Sequence, residues 1–314
     1  MKSSLLKATL FIQLYMRNTI IILIFILLIS ILFSSCQSEV KTDYVPFCPK
    51  PVLNSFIVAG SPISAHISLA VGFEENLPIS YDSAIVSLFI DDIFTCNMTL
   101  KADGVYETEI IANENTKYTI TADLLGFERV SGSTHIPAIT EIYDFQHINV
   151  AGIDNEGYSY PGIKFTFKND LSQRNYYDSR IYMRESELIS FINPVYISDS
   201  VLLNEGTPLT IFSDKIIQNI PEYRMQLNYT TGITGYNNFI GSHTELFPFI
   251  FEFRSLSEEF YNYTKQLYLY ETGRFPEFGI GSNITYPMYS NVENGYGIVA
   301  GYSFCITDTI RPSY

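Results

Sequence analysis

The chain has 314 residues, of which 46% are hydrophobic, 15% aromatic and 17% charged. Ordinary soluble domains carry about 25% charged residues, so this is a β-leaning globular composition and not a disordered one. Its 33 acidic against 19 basic side chains give a net charge of −14, which repels phosphate backbones and excludes a nucleic-acid partner, because no counterion release is left to drive binding.

The first predicted element is a leader. Thr19 to Phe33 reads TIIILIFILLISILF behind Lys2, Lys7 and Arg17, with no acid before Glu39. A positive stretch followed by an apolar run is a secretory pattern, and the run is shorter than the about 20 residues a spanning helix needs. Leu32-Phe33-Ser34-Ser35-Cys36 resembles a bacterial lipobox, with Phe33 standing where Leu, Val or Ile is usual. Residues 1–35 are therefore read as a lipoprotein signal peptide, Cys36 as the acylated residue and residues 36–49 as a lipidated tether; an uncleaved anchor and a plain signal peptide are the alternatives. Met16-Arg17 would open a more compact leader. Cleavage removes three basic side chains and leaves 16 against 33 acids, a net charge of −17. Such a chain is too acidic to coat an anionic membrane by itself, so the membrane is reached through lipid on Cys36, where two acyl chains hold and one is marginal.

From Pro51 the pattern has period two, the signature of half-buried strands. Ile63, Ala65, Ile67, Leu69 and Val71 alternate with Ser64, His66 and Ser68; Tyr118, Ile120, Ala122 and Leu124 alternate with Lys117, Thr119, Thr121 and Asp123. Further strands are expected at Val52 to Ala59, Ala84 to Asp91, Ile93 to Leu100, Gly104 to Ile111 and Phe127 to Thr134. Turn signals at Gly60-Ser61-Pro62, Asn76-Leu77-Pro78, Asp91-Asp92, Asp103-Gly104 and Leu125-Gly126 separate them. Seven short strands at this spacing predict an all-β fold that opens with an immunoglobulin-like β-sandwich over residues 50–137. Residues 138–314 are expected to form a second β-rich domain, with strands at Ile163 to Phe167 and Phe249 to Phe253. One helix is predicted there: Ser255-Leu256-Ser257-Glu258 has capping-box spacing, and Leu256, Phe260, Tyr263 and Leu267 follow at near-helical intervals.

Chemistry-bearing patterns are sparse. His66, His135, His147 and His243 stand apart, with no i, i+4 pair and no HExxH, so they read as solvated or locally bonded. Of the cysteines, Cys48, Cys96 and Cys305 remain beside Cys36, allowing at most one disulfide among three pairings. Cys96 shares an alternating run with Phe94, Met98 and Leu100 and reads as a small core residue. Gly295-Tyr296-Gly297-Ile298-Val299-Ala300 is formally GxGxxA, but it lacks the following helix and acid of a dinucleotide site and suits a tightly packed terminal strand. Of the acid pairs Glu74-Glu75, Asp91-Asp92 and Glu258-Glu259, none converges; only the loop Asp154-Asn155-Glu156-Gly157 offers oxygens that could meet on calcium. With 24 Tyr, 23 Phe and no Trp, most rings are expected in strands and core. Tyr158-Ser159-Tyr160, Tyr176-Tyr177 and Tyr261 to Tyr270 are candidates for a contact surface. No cofactor, metal or catalytic residue is predicted, and a binding or accessory module is expected rather than an enzyme; a surface hydrolase and a structural or adhesive protein are the alternatives.

Several segments together resemble the Bacteroidetes lipoproteins that carry domain of unknown function 4249. They are Val52 to Ile57, Thr116 to Ile120 leading to His135-Ile136-Pro137, Asn175-Tyr176-Tyr177, Phe212-Ser213-Asp214, Ser255 to Tyr261, and Tyr289 to Val292 running into Asn294 to Ile298. Their order and spacing carry the likeness, and Val299-Ala300 departs from it where an aromatic is more usual. The resemblance implies an outer-membrane or cell-surface lipoprotein, partnered by a TonB-dependent transporter, and it supplies no catalytic residues. Glu39, close behind Cys36, is a short instance of the acidic surface-export signal of such lipoproteins.

Overall fold

Alternation becomes strand where the apolar side of each segment finds a facing sheet. The computed structural model describes residues 47–72, 79–183, 189–190, 197–273 and 286–313. The leader, Cys36, Glu39, the acid pair Glu74-Glu75 and the turn at Asn76-Leu77-Pro78 lie outside these residues.

β1 (Pro51–Val58) and β2 (Pro62–Leu69) form a hairpin, with Leu53, Ile57, Ile63, Ala65 and Ile67 fully buried on one side. β3 (Ile79–Ser80), β4 (Ile85–Ile90), β5 (Ile93–Asn97), β6 (Thr99–Ala102), β7 (Val105–Ile111), β8 (Thr116–Asp123) and β9 (Val130–Ile136) complete the first half. One expectation is corrected: Ile93 to Leu100 is not a single strand with an apolar side. Met98, 6% exposed, enters the core between β5 and β6, while Phe94 and Leu100 face solvent. The cause is topological, because β5 edges one sheet and β6 edges another, so the chain crosses the sandwich at Met98.

The second half carries β10 (Ile142–Ile153), β11 (Ser159–Lys168), β12 (Tyr176–Met183), β13 (Ile189–Ser190), α1 (Ser200–Glu205), β14 (Phe212–Ser213), β15 (Glu222–Asn228), β16 (Thr234–Asn237), β17 (Gly241–Thr244) and β18 (Phe249–Leu256). α2 (Glu258–Gly273), β19 (Val292–Glu293) and β20 (Tyr296–Ile306) follow. The helix expected here forms, but its cap is Ser257, whose Oγ accepts the Phe260 N–H at 3.3 Å. Ser255 cannot cap it, because pairing with Ser303 holds Ser255 in the β18–β20 ladder. α1 has no counterpart among the expected elements; Asp199 caps its start and Gly206, at φ 68°, ends it.

Three sheets result. The largest runs β13-β12-β18-β20-β1-β2-β7-β6, with β14 and β3 attached; β19-β9-β8-β4-β5 faces its first half, and β10-β11-β17-β16, with β15, faces its second. Two apolar clusters fall on either side of Pro137, but the sheet does not divide there. β20, from the far end of the chain, lies parallel to β1 and antiparallel to β18, and it gives Val299 to the first cluster. Residues 292–299 therefore pack with the first half, not with the second domain to which the sequence pattern assigns them. Gly297 permits the parallel pairing: at φ 115°, a Cβ there would stand 2.1 Å from the Leu53 carbonyl oxygen. This is the tightly packed terminal strand expected of the GxGxxA run.

Candidate functional site

The end of β9, the turn into β12 and the start of α2 meet around a cleft of ≈ 340 Å³ where the two apolar clusters adjoin. Its lining brings together segments far apart in the chain: His135 and Pro137, Asn175 to Tyr177, and Ser255 to Glu259. These are three of the segments that carry the family resemblance, and Asp214 of a fourth lies directly behind them.

Asp214 organises the cleft floor. It is 0% exposed, and a carboxylate in that position is tolerable only when every lone pair is matched. Arg174 Nη1 donates to one of its oxygens and Asn175 Nδ2 to the other, each at 2.9 Å, while the Asp214 N–H donates to the Asn175 carbonyl at 2.9 Å. Arg174 Nη2 continues to Gln218 Oε1 at 2.9 Å. Deeper in, Asn169 Oδ1 accepts from Asn175 Nδ2 at 3.1 Å and from the Tyr177 hydroxyl at 3.0 Å. The network ties the loop before β12 to the turn after β14, so it holds the wall rigid.

The opposite wall is the first turn of α2. Ser257 Oγ also accepts the Gly301 N–H at 3.2 Å, which fixes the helix start onto β20. Glu259 accepts from Thr134 Oγ1 at 2.9 Å. Burial, together with the neighbouring Glu258 carboxylate, pushes the pKa of the Tyr176 hydroxyl up to about 12, and its ring lies tilted by 35° against that of Tyr261 with centroids 4.7 Å apart. Asp170, at the rim, is held below the usual carboxylate range by hydrogen bonds from Ser172. Beside the cleft, burial opposes ionisation of Glu205, yet hydrogen bonds from Lys265, Tyr261 and Ser213 hold its carboxyl below the usual value. The site thus offers fixed donors and acceptors in an open recess, an arrangement suited to binding a polar group.

The other residues singled out in the sequence are dispersed. His135 lines the cleft and is exposed, and His66 sits half-buried on β2. His147 and His243 bear out the locally bonded reading and not the solvated one, with His147 Nδ1 2.9 Å from Asn149 Oδ1 and His243 Nδ1 3.2 Å from the Gly241 carbonyl oxygen. His147 lies against Phe249 with Nε2 2.9 Å from the Tyr229 hydroxyl, and burial lowers its pKa; His243 is 4% exposed. Asp154 Oδ1 accepts the N–H groups of Glu156 and Tyr158, so the loop considered for calcium closes on its own backbone. Among the described residues no group of three or more His, Cys, Asp and Glu is placed to hold a metal. Among the described residues, Cys48, Cys96 and Cys305 form no disulfide with one another. Of the tyrosine clusters, Tyr177 belongs to the core, and Tyr176 and Tyr261 serve the cleft wall. Sequence reading missed Asp214, Asn169 and Glu205, whose isolated polar letters give no signal until the fold collects them.

Fold and cleft together define a β-sandwich protein with a polar recess at the junction of two cores. The chain belongs to the family of domain of unknown function 4249 (DUF4249), whose model matches residues 37–304. A solved structure of a Corynebacterium diphtheriae protein described as membrane anchored aligns at 10% identity and a TM-score of 0.20, covering 68% of this chain and 55% of the other. This chain thus spans little more than half of that protein, and at such a score the likeness carries no argument. No curated protein matches. No helix among the described residues is long and apolar enough to cross a membrane.

Proposed function

We propose that this is a Bacteroidetes lipoprotein held in the outer membrane by acyl chains on Cys36, displayed at the cell surface, and working as a binding or accessory module beside a TonB-dependent transporter. One observation carries the anchoring: the family match begins at residue 37, directly behind Cys36, and the first strand among the described residues is Pro51–Val58. The segment between is a tether, and what precedes it is leader. The role as a module rather than an enzyme is supported by the cleft, whose wall is held by internal hydrogen bonds and whose rim carboxylate Asp170 is held below its usual range. Catalytic acids are tuned in the opposite direction, upward. The transporter partner follows from the family resemblance.

Metabolic labelling with a fatty-acid probe tests the anchor: the wild type takes up label and Cys36→Ala loses it together with precursor cleavage. Equal labelling of both rejects the lipobox. Cross-linking in living cells tests the partner, which is rejected when the lipoprotein is recovered only as a monomer.

A further inference from the structure

The end of the sandwich from which the tether leaves is apolar. Strand register places its parts: Pro51 pairs with Leu69 and Leu69 with Ile79, Val52 pairs with Tyr296, and Ile85 pairs with Asp123 at the end of β8. The Leu125 N–H donates to the Tyr81 hydroxyl at 3.2 Å, which holds the β8–β9 loop beside β3. Phe47, Ile79, Ile85, Leu125 and Tyr296 are all exposed here, Leu125 to 90%. The Lys50 ammonium lies over the Tyr296 ring at 5.2 Å, the pairing of ring and snorkelling cation that suits a membrane interface.

We propose that this end seats in the headgroup region of the bilayer that holds the Cys36 acyl chains. The inference rests on the anchor reading. Ten residues lie between Cys36 and Phe47, a contour of at most about 35 Å, so the bilayer that holds the acyl chains is the apolar phase within reach of this end. Charge selects the lipid: Asp82, Asp103, Asp123, Glu128 and Glu293 lie at this end against Lys50, Lys101 and Arg129, an excess of acid that suits zwitterionic headgroups over anionic ones. The opposite end of the body is too distant to share the contact. β20 rises about 36 Å over its length, Phe249 bridges to Ile310 beyond it, and His147, packed on Phe249, sends β10 further still toward the hairpin that carries Phe239. Phe239 is 99% exposed, so it provides a control of equal accessibility.

Because the chain contains no tryptophan, a single introduced indole is a sole reporter. The lipidated full chain is made as Leu125→Trp and as Phe239→Trp and incorporated into phosphatidylcholine vesicles brominated at the upper acyl carbons. Emission of Leu125→Trp is expected to be quenched at least fivefold more than that of Phe239→Trp. Vesicle flotation separates the two ideas. Co-flotation with Leu125→Trp unquenched, or with both reporters quenched alike, rejects the seating alone. Failure to float rejects the anchor, and the seating falls with it.

Discussion

The two cores of this protein are built from different side chains. The first is aliphatic, with Leu53, Ile57, Ile63, Ile67, Val86, Leu88, Ile120 and Val130 around only two rings, Tyr106 and Tyr118. The second is aromatic: Phe253 lies within 5.4 Å of Phe165, Phe167 and Tyr177 by ring centroids, and Phe212 and Phe251 extend the cluster. Aliphatic strands pack wherever alternation is kept, so the first core tolerates hairpins made of chain neighbours. Rings demand particular offsets and angles, and the second core meets that demand with strands drawn from distant parts of the chain, such as β12 and β18. Range does not separate the two cores, since β20 closes the first onto β1 across most of the chain; ring geometry does.

The largest expected effect separates the cores outright. A fragment of residues 50–137 keeps nine strands but loses β20, which lies beside β1 and gives Val299 to the first core, where Gly132 admits it closely. The fragment is expected to melt without cooperativity and to aggregate through the uncovered β1 edge. A sharp calorimetric transition matching that of the full chain would mean the first core is self-sufficient.

Truncation within each core should be unequal. Phe253→Ala is expected to cost about 3–5 kcal/mol and Ile67→Ala about 2–4 kcal/mol, because the aromatic side chain also forfeits its ring contacts. Denaturant midpoints at constant slope read the difference, and a larger shift for Ile67→Ala would reverse the ranking.

The smallest effect concerns pH. Burial first, against a hydrogen bond from its Nδ1 to Asn149 Oδ1, leaves His147 with a pKa below its unfolded value of 6.5. As pH falls through 6.5 the unfolded chain takes up a proton that the folded chain refuses, so stability declines by at most about 1.4 kcal/mol per pH unit until the folded pKa is reached. His147→Gln should flatten that limb of the stability profile. An unchanged slope would assign it to another group.

Legibility followed the same division. In the first half every expected strand between residues 52 and 134 except Ile93 to Leu100 is present, because each hairpin buries its own alternating side and the pattern is local. The failure at Ile93 to Leu100 came from a change of sheet, which alternation does not encode: Met98 keeps the apolar period while its neighbours lose the core. In the second half Phe249 to Phe253 reads as strand, but nothing in that run says that it lies next to β20. Ser255 and Ser257 are equally good caps by letter, and the ladder to Ser303 decides between them.

The sequence by itself determined the all-β class, the turns, the acidic balance and the helix that begins at Ser257, and it supplied the expectation of an address at Cys36, since each depends on residue type within a short window. Tertiary structure alone decided that the last strand joins the first, that His147 is half-buried and His243 buried, and that Asn175 and Ser257 line one cleft with Asp214 behind its wall. Those outcomes depend on contacts between residues far apart in the chain, such as Val52 and Tyr296, 244 positions apart. No local pattern carries that information, because the free energy of a long-range pair is realised only once the intervening chain has folded.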